Sequence, residues 1–217
     1  MKIDKKTIET LENFSRINPS LLITPGNVLR TVDQKAIIFS ITTVPDVFPK
    51  RVAIFDLSKL IATLSILPDA DLTFNDDFLE IKKDSTIVKY RYCDEDCITF
   101  PSQDNLEIKS IDSSFKLPYS VFQPLFKGLH VLGLPEYIVS GDGKNIHIAA
   151  ANSTNPASPS YNVKIGETDK KFKAIFKSEH LKLLPIDYTV DICDNGYARF
   201  TGENTIYWAV VQYNSSF

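Results

Sequence analysis

The chain has no run of about eighteen apolar residues, the length a membrane-crossing helix requires, so no spanning helix is expected. Its start, "MKIDKKTIET", has neither an apolar core nor a small-residue cleavage site, so it does not read as a secretory leader. Cysteines number three, Cys93, Cys97 and Cys193, and an odd count without export features points to reduced thiols in a cytoplasm. Positive charge is not in excess: 24 Lys and Arg face 27 Asp and Glu, for a net −3. That excludes an openly basic nucleic-acid surface, but not a protein that gathers its cations on one face. Tryptophan occurs once, against 14 Phe and 9 Tyr, a balance that leans towards β-structure.

The usual marks of chemistry are missing as well. "CDEDC", Cys93 to Cys97, spaces two thiols by three residues with no second pair and no nearby His, which suits zinc poorly; it reads as a hairpin tip. "SGDGKN" lacks the spacing and the Lys-Ser/Thr ending of a phosphate-binding loop and reads as a turn. His130, His147 and His180 share no ligand-like spacing. Acids such as Asp94 and Asp96 are abundant, yet no nucleophile, base and orienting acid stand out together. An enzyme is not expected, nor a metal or another cofactor.

What remains is a rhythm of strands and short helices. Asp4 to Phe14 reads as a helix, with Ile8, Leu11 and Phe14 as its apolar stripe and Asp4 as its cap. "LLITPGNV", "AIIFSIT" and "RVAIFDL" read as strands, followed by a helix over Ser58 to Leu67 that Pro68 ends. Next come the strands "ADLTF", "FLEIKK" and "TIVKYRYC". "FPSQDNLEIKSIDSSFKLP" is polar, flanked by prolines and weakly periodic, which suggests a linker over 101–118 between domains at 1–100 and 119–217. Beyond it the programme restarts, with a helix over Ser120 to Leu132 and the strands of "EYIVSGDGKNIHIAAA", "NVKIGE" and "KFKAIFK". A short helix, Ser178 to Leu184, precedes "DYTVDIC", "YARFTGEN" and "TIYWAVVQY". "IFDLSKLIATLSILP" and "IFKSEHLKLLP" begin and end alike, and each supplies the second helix of its half. The α+β order therefore looks duplicated.

Helical wheels divide each helix by chemistry. The first exposes Lys2, Lys5, Lys6, Glu9, Glu12, Asn13 and Arg16; the second, Ser58, Lys59 and Thr63. The third exposes Gln123, Lys127 and His130; the fourth, Lys177, Glu179, His180 and Lys182. Acids crowd the turns instead. Taken singly, each lysine is a solvated surface group; taken together, they suit a polyanion.

Four stretches, "MKIDKKTIETLENFSRIN", "RVAIFDLSKLIATLSIL", "SVFQPLFKGL" and "ARFTGENTIYWAVVQY", resemble the DNA polymerase sliding clamps of T-even-type bacteriophages, in the same order and over nearly the whole chain. The resemblance implies a two-domain DNA clamp fold, each domain made of two β-α-β-type units. Three chains would close head to tail with sixfold pseudo-symmetry, twelve helices lining the hole and antiparallel sheets outside. It implies sequence-independent, topological binding of duplex DNA, with Lys2, Lys5, Lys6, Arg16, Lys59, Lys127, His130, Lys177 and Lys182 near phosphates. The expected duty is to tether the replicative polymerase in the cytoplasm of an infected bacterium. A clamp-loading ATPase would place the ring, and late transcription proteins would be further partners, with no membrane involved. Partner peptides would dock beside Phe100, Pro101, Leu106, Ile108, Tyr213 and Phe217, although Phe100 and Tyr213 also read as ordinary core or edge aromatics. A phage assembly oligomer without a DNA-encircling role is the rival reading.

Overall fold

The computed structural model describes residues 1–103, 105–106, 110–155, 157–193 and 196–216. The chain forms two compact units, Met1–Asp104 and Asn105–Phe217.

In the first unit, helix α1 (Lys5–Ile17) starts where the Asp4 carboxylate accepts the Lys6 N–H at 2.7 Å. Leu11, Phe14 and Ile17 are buried, and so are Thr7, Thr10 and Asn13. The wheel placed Asn13 outward. It is covered because α1 touches strands β2 (Gly26–Val32) and β3 (Ile38–Phe48) as well as helix α2 (Leu57–Ile66), so more than one stripe is buried. Asn18 then turns the chain: its Nδ2 donates to Val32 O and Thr99 O, and its Oδ1 accepts the Ser20 N–H. Strands β1 (Leu21–Ile23) and β4 (Val52–Ile54) pair antiparallel, as do β2 and β3. The Asp56 carboxylate caps α2 by accepting the Lys59 N–H at 2.8 Å. Strands β5 (Asp71–Phe74), β6 (Phe78–Lys83) and β7 (Thr86–Arg91) form an antiparallel meander in which β7 is an edge. The core joins Leu11 and Phe14 of α1 and Leu57, Leu60 and Leu64 of α2 to Ile54, Leu72, Leu79 and Ile81. Burying each such side chain stabilises the fold by roughly 1.5–3 kcal/mol. "CDEDC" is not a hairpin tip: Cys93 bridges to Ala53, and Glu95–Cys97 make a 3₁₀ turn.

In the second unit, helix α3 (Tyr119–Leu132) follows Pro118 and ends at Gly133, whose φ of +61° suits a residue without a Cβ. There the Leu134 N–H reaches Leu129 O, a typical Schellman ending. Strands β9 (Glu136–Asp142), β10 (Asn145–Ala151), β11 (Tyr161–Glu167) and β12 (Lys171–Lys177) form an antiparallel sheet in the order β11-β10-β9-β12. Strands β8 (Ser113–Leu117), β13 (Tyr188–Ile192), β14 (Tyr197–Thr201) and β15 (Thr205–Val210) run as successive antiparallel neighbours.

Two sequence expectations fail here. Residues 113–117 of the expected linker are strand β8, with Ser113, Phe115 and Leu117 buried in alternation and its backbone paired to β13. The helix expected over Ser178 to Leu184 is a turn followed by irregular backbone, closed by short bonds such as His180 N–H to Lys177 O. Only Leu181 in that stretch is buried. Seven residues cut off by Pro185 cannot offset the cost of nucleating a helix without an apolar stripe to bury. The described residues therefore contain three α-helices rather than four.

Candidate nucleic-acid interface

Helices α1 and α2 lie antiparallel. The Leu57 N–H at the start of α2 donates to Pro19 O, just past the end of α1, at 2.7 Å. Towards the other end, a cleft of about 350 Å³ opens between them, lined by Ile3, Ile8, Ile61, Leu64, Leu67 and Pro68, with Lys5 and Glu12 among its polar residues. Arg16 and Lys59 consequently belong to one end of the helix pair, and Lys2, Lys5 and Lys6 to the other. All five are exposed.

Acids dilute this face. Lys5 Nζ stands 3.8 Å from Glu9, and Lys59 Nζ 3.6 Å from Asp56, both pairs in solvent. Such pairs are worth only about 0.3–0.5 kcal/mol, so a denser anion can displace them. The face can attract a phosphate backbone, but it lacks the arginine-rich, rigid donors that would grip one.

On α3, Phe122, Leu125 and Leu129 are buried, while Lys127 and His130 are exposed. Phe126 is 41% exposed and meets the His130 ring edge-on at 4.5 Å. Lys177 and Lys182 are not on a helix. Lys177 is the last residue of β12, opposite Glu136, and half-buried Lys182 follows in the irregular stretch. The structure thus places Lys5, Lys6, Arg16 and Lys59 on one helix pair with Lys2 just ahead of it, sets Lys127 and His130 on α3, and leaves Lys177 and Lys182 outside any helix.

Among the expected peptide-docking residues, Phe100 and Pro101 are half-buried in the first unit and Leu106 is half-buried in the second. Tyr213 is 98% exposed, which rules out a core position for it. Ile108 and Phe217 lie outside the described residues.

Several loop acids are held firmly ionised. A side-chain hydrogen bond and the charge of Lys50 lower the Asp76 pKa, Arg51 does the same for Glu95, and the Asn145 and Lys144 N–H groups do it for Asp142. Burial pushes the Tyr92 phenol up to about 12. Among the described residues, no group of three His, Cys, Asp or Glu could hold a metal ion, and no helix is long and apolar enough to cross a membrane. One cationic feature was missed from the sequence: Lys171, Lys173 and Lys177 recur at even spacing in "KFKAIFK", the period of a strand face.

Residues 126–212 match the family described as gp45 sliding clamp, C terminal. The whole chain is similar to the sliding clamp of Vibrio phage KVP40, at 29% identity over 98% of this chain and 99% of the relative. It is similar also to the sliding clamps of Escherichia phage RB69 (22%) and Enterobacteria phage T4 (21%), each over all of this chain and 99% of the relative. Among solved structures, the fold matches A. fulgidus PCNA bound to the C-terminal region of FEN-1, with a TM-score of 0.71, 13% identity and 96% of each chain covered. Proliferating Cellular Nuclear Antigen from Entamoeba histolytica matches with a TM-score of 0.70, 14% identity and 95% of each chain covered.

Proposed function

Because the chain belongs to the gp45 family of phage sliding clamps, which are processivity factors of DNA replication and not enzymes, we propose that three copies close head to tail into a ring around duplex DNA. The cations exposed on α1, α2 and α3 carry this reading: Lys2, Lys5, Lys6, Arg16, Lys59, Lys127 and His130 line the hole and touch phosphates transiently. Long flexible lysine stems, partly neutralised by Glu9 and Asp56, make contacts that are too weak and too numerous to brake movement. The ring holds by topology and the charge only centres the duplex. The three helices among the described residues would give nine around the hole.

Each unit has a surface suited to the head-to-tail contact. In the first, edge strand β7 leaves backbone groups unpaired within its sheet, and Ile87 on it and Ile66 on α2 are exposed. Lys83 Nζ reaches Pro68 O, which ties the end of β6 to the end of α2. In the second unit, β11 is an edge, and Tyr161 on it lies against Gly128 of α3. Val131, one helical turn further, is exposed. Joining β7 to the β11 of the next copy would extend a sheet across the junction and cover the apolar groups beside it.

In this reading, the ring tethers the phage DNA polymerase and is placed on DNA by an ATP-driven loader in the infected cell. Short partner peptides, including those of late transcription proteins, use the exposed Tyr213 among the residues the sequence offered. The test uses loader, ATP and nicked circular DNA. Clamp should remain on circles in high salt and fall off once they are linearised; loss from both would refute encirclement.

A further inference from the structure

The sheet β11-β10-β9-β12 has two unlike faces. On one, Tyr137, Val139, Ile146, Ile148 and Ala150 are buried beneath α3, with Phe122 6.0 Å from Tyr137. Alternate residues stand on the other face. The antiparallel register sets Lys173 opposite Ser140, Ser140 opposite His147, and His147 opposite Lys164. These four side chains make one row straight across the sheet, with exposed lysines at its ends and half-buried hydrogen-bonding groups between them. Two residues along, half-buried Ile138 and Ala149 and exposed Asn162 form a parallel row, which ends on β12 at the fully buried Ile175. Lys171 and Lys177 flank both rows on β12.

Acids occur only at the margins of this face. Asp142 stands opposite Lys171, Glu136 opposite Lys177, and Glu167 opposite Asn145. Lys164 has Glu167 3.5 Å away, through solvent-exposed atoms. Three strand-to-strand steps put the backbones at Lys173 and Lys164 about 14 Å apart, close to the ~13 Å between residues four apart on one side of an extended peptide.

We propose that this face docks an acidic, amphipathic peptide segment of a partner protein. Its carboxylates lie on the Lys173–Lys164 row, hydrogen-bonded between them by Ser140 and His147, and its apolar side chains lie on Ile138 and Ala149. The chemistry favours a peptide over nucleic acid for two reasons. A phosphate backbone has no use for the apolar row, and the marginal acids repel a polyanion that continues past the sheet while tolerating a short segment that ends there. The site rests on the geometry of the second unit alone and does not require ring closure. Side chains stand perpendicular to the sheet, so pairing at the β11 edge leaves them accessible.

The probe is a fluorescein-labelled peptide of alternating glutamate and leucine pairs, titrated with full-length protein by fluorescence anisotropy. Lys164→Glu combined with Lys173→Glu should weaken binding about tenfold or more, the effect of roughly 1.4 kcal/mol. Lys35→Glu with Lys82→Glu, at two exposed lysines of the first unit, changes net charge equally and should leave affinity unchanged. Circular dichroism on both variants checks that each is folded. Unchanged affinity in the Lys164/Lys173 variant, or an equal loss in both variants, overturns the site. Efficient displacement of the peptide by oligothymidylate, with the same sensitivity to Lys164 and Lys173, would reassign it to nucleic acid and overturn the proposal too.

Discussion

At Asp191 a carboxylate only 4% exposed accepts Arg199 Nε at 3.0 Å and Nη2 at 2.7 Å on one oxygen, and Ser114 Oγ at 2.7 Å on the other. The three residues align across β8, β13 and β14, so register alone delivers the partners. Arg199→Met should destabilise the protein by about 3–5 kcal/mol, because it strands a buried charge, whereas Ser114→Ala should cost only about 1 kcal/mol. Urea unfolding curves measure both; a cost near zero for Arg199→Met would mean that water already compensates Asp191. A second residue-scale outcome concerns Glu95, which accepts Arg51 Nε and Nη2 at 2.6 Å each. Its pKa is lowered in the folded chain, so the contribution to stability is present above the ordinary glutamate value and fades as pH falls through the depressed one. In Arg51→Gln the Glu95 carboxyl should titrate in the ordinary range by NMR; an unmoved titration would show that Arg51 is not its cause.

Helices α1 and α2 owe their starts to aspartates that the sequence advertises. Asp56→Ala should cost about 1 kcal/mol by removing the cap on Lys59 N–H, visible as a lowered urea midpoint. The cationic faces give the functional outcome: Lys5→Glu, Lys59→Glu and Lys127→Glu together should impair loading or processive synthesis while leaving trimer assembly intact. Polymerase stimulation equal to wild type would remove these helices from the wall of the hole. Three helices were legible because each pairs an apolar stripe with a stop or start signal, such as Pro68 after α2 or Pro118 before α3. The expected fourth helix shared the Ile-Phe and Leu-Pro ends of α2 but lacked its run of core leucines, and end signals do not nucleate a turn. Strand β8 was hidden by the opposite fault: Ser113 lies at a buried position, so the alternation of Phe115 and Leu117 looked too short to read. The cationic row across β12, β9, β10 and β11 could not be seen at all, because it exists only in register between strands distant in sequence.

For the whole molecule the decisive quantity is closure. Ile66 is 75% exposed and Val131 is 83% exposed, an arrangement that invites cover by another copy. Ile66→Lys or Val131→Lys should shift light scattering from trimer towards monomer at micromolar concentration with the fold intact. Trimers persisting in both variants would place the contact elsewhere.

That the described residues of the second unit hold one helix, α3, bears on the passage of DNA. In a ring closed as proposed, the described helices would number two for each first unit and one for each second. A duplex inside it would meet Lys2, Lys5, Lys6, Arg16 and Lys59 at the first units and Lys127 and His130 at the second. In that arrangement, contacts as weak and mobile as these lysines make would leave the thread no angle at which to lock.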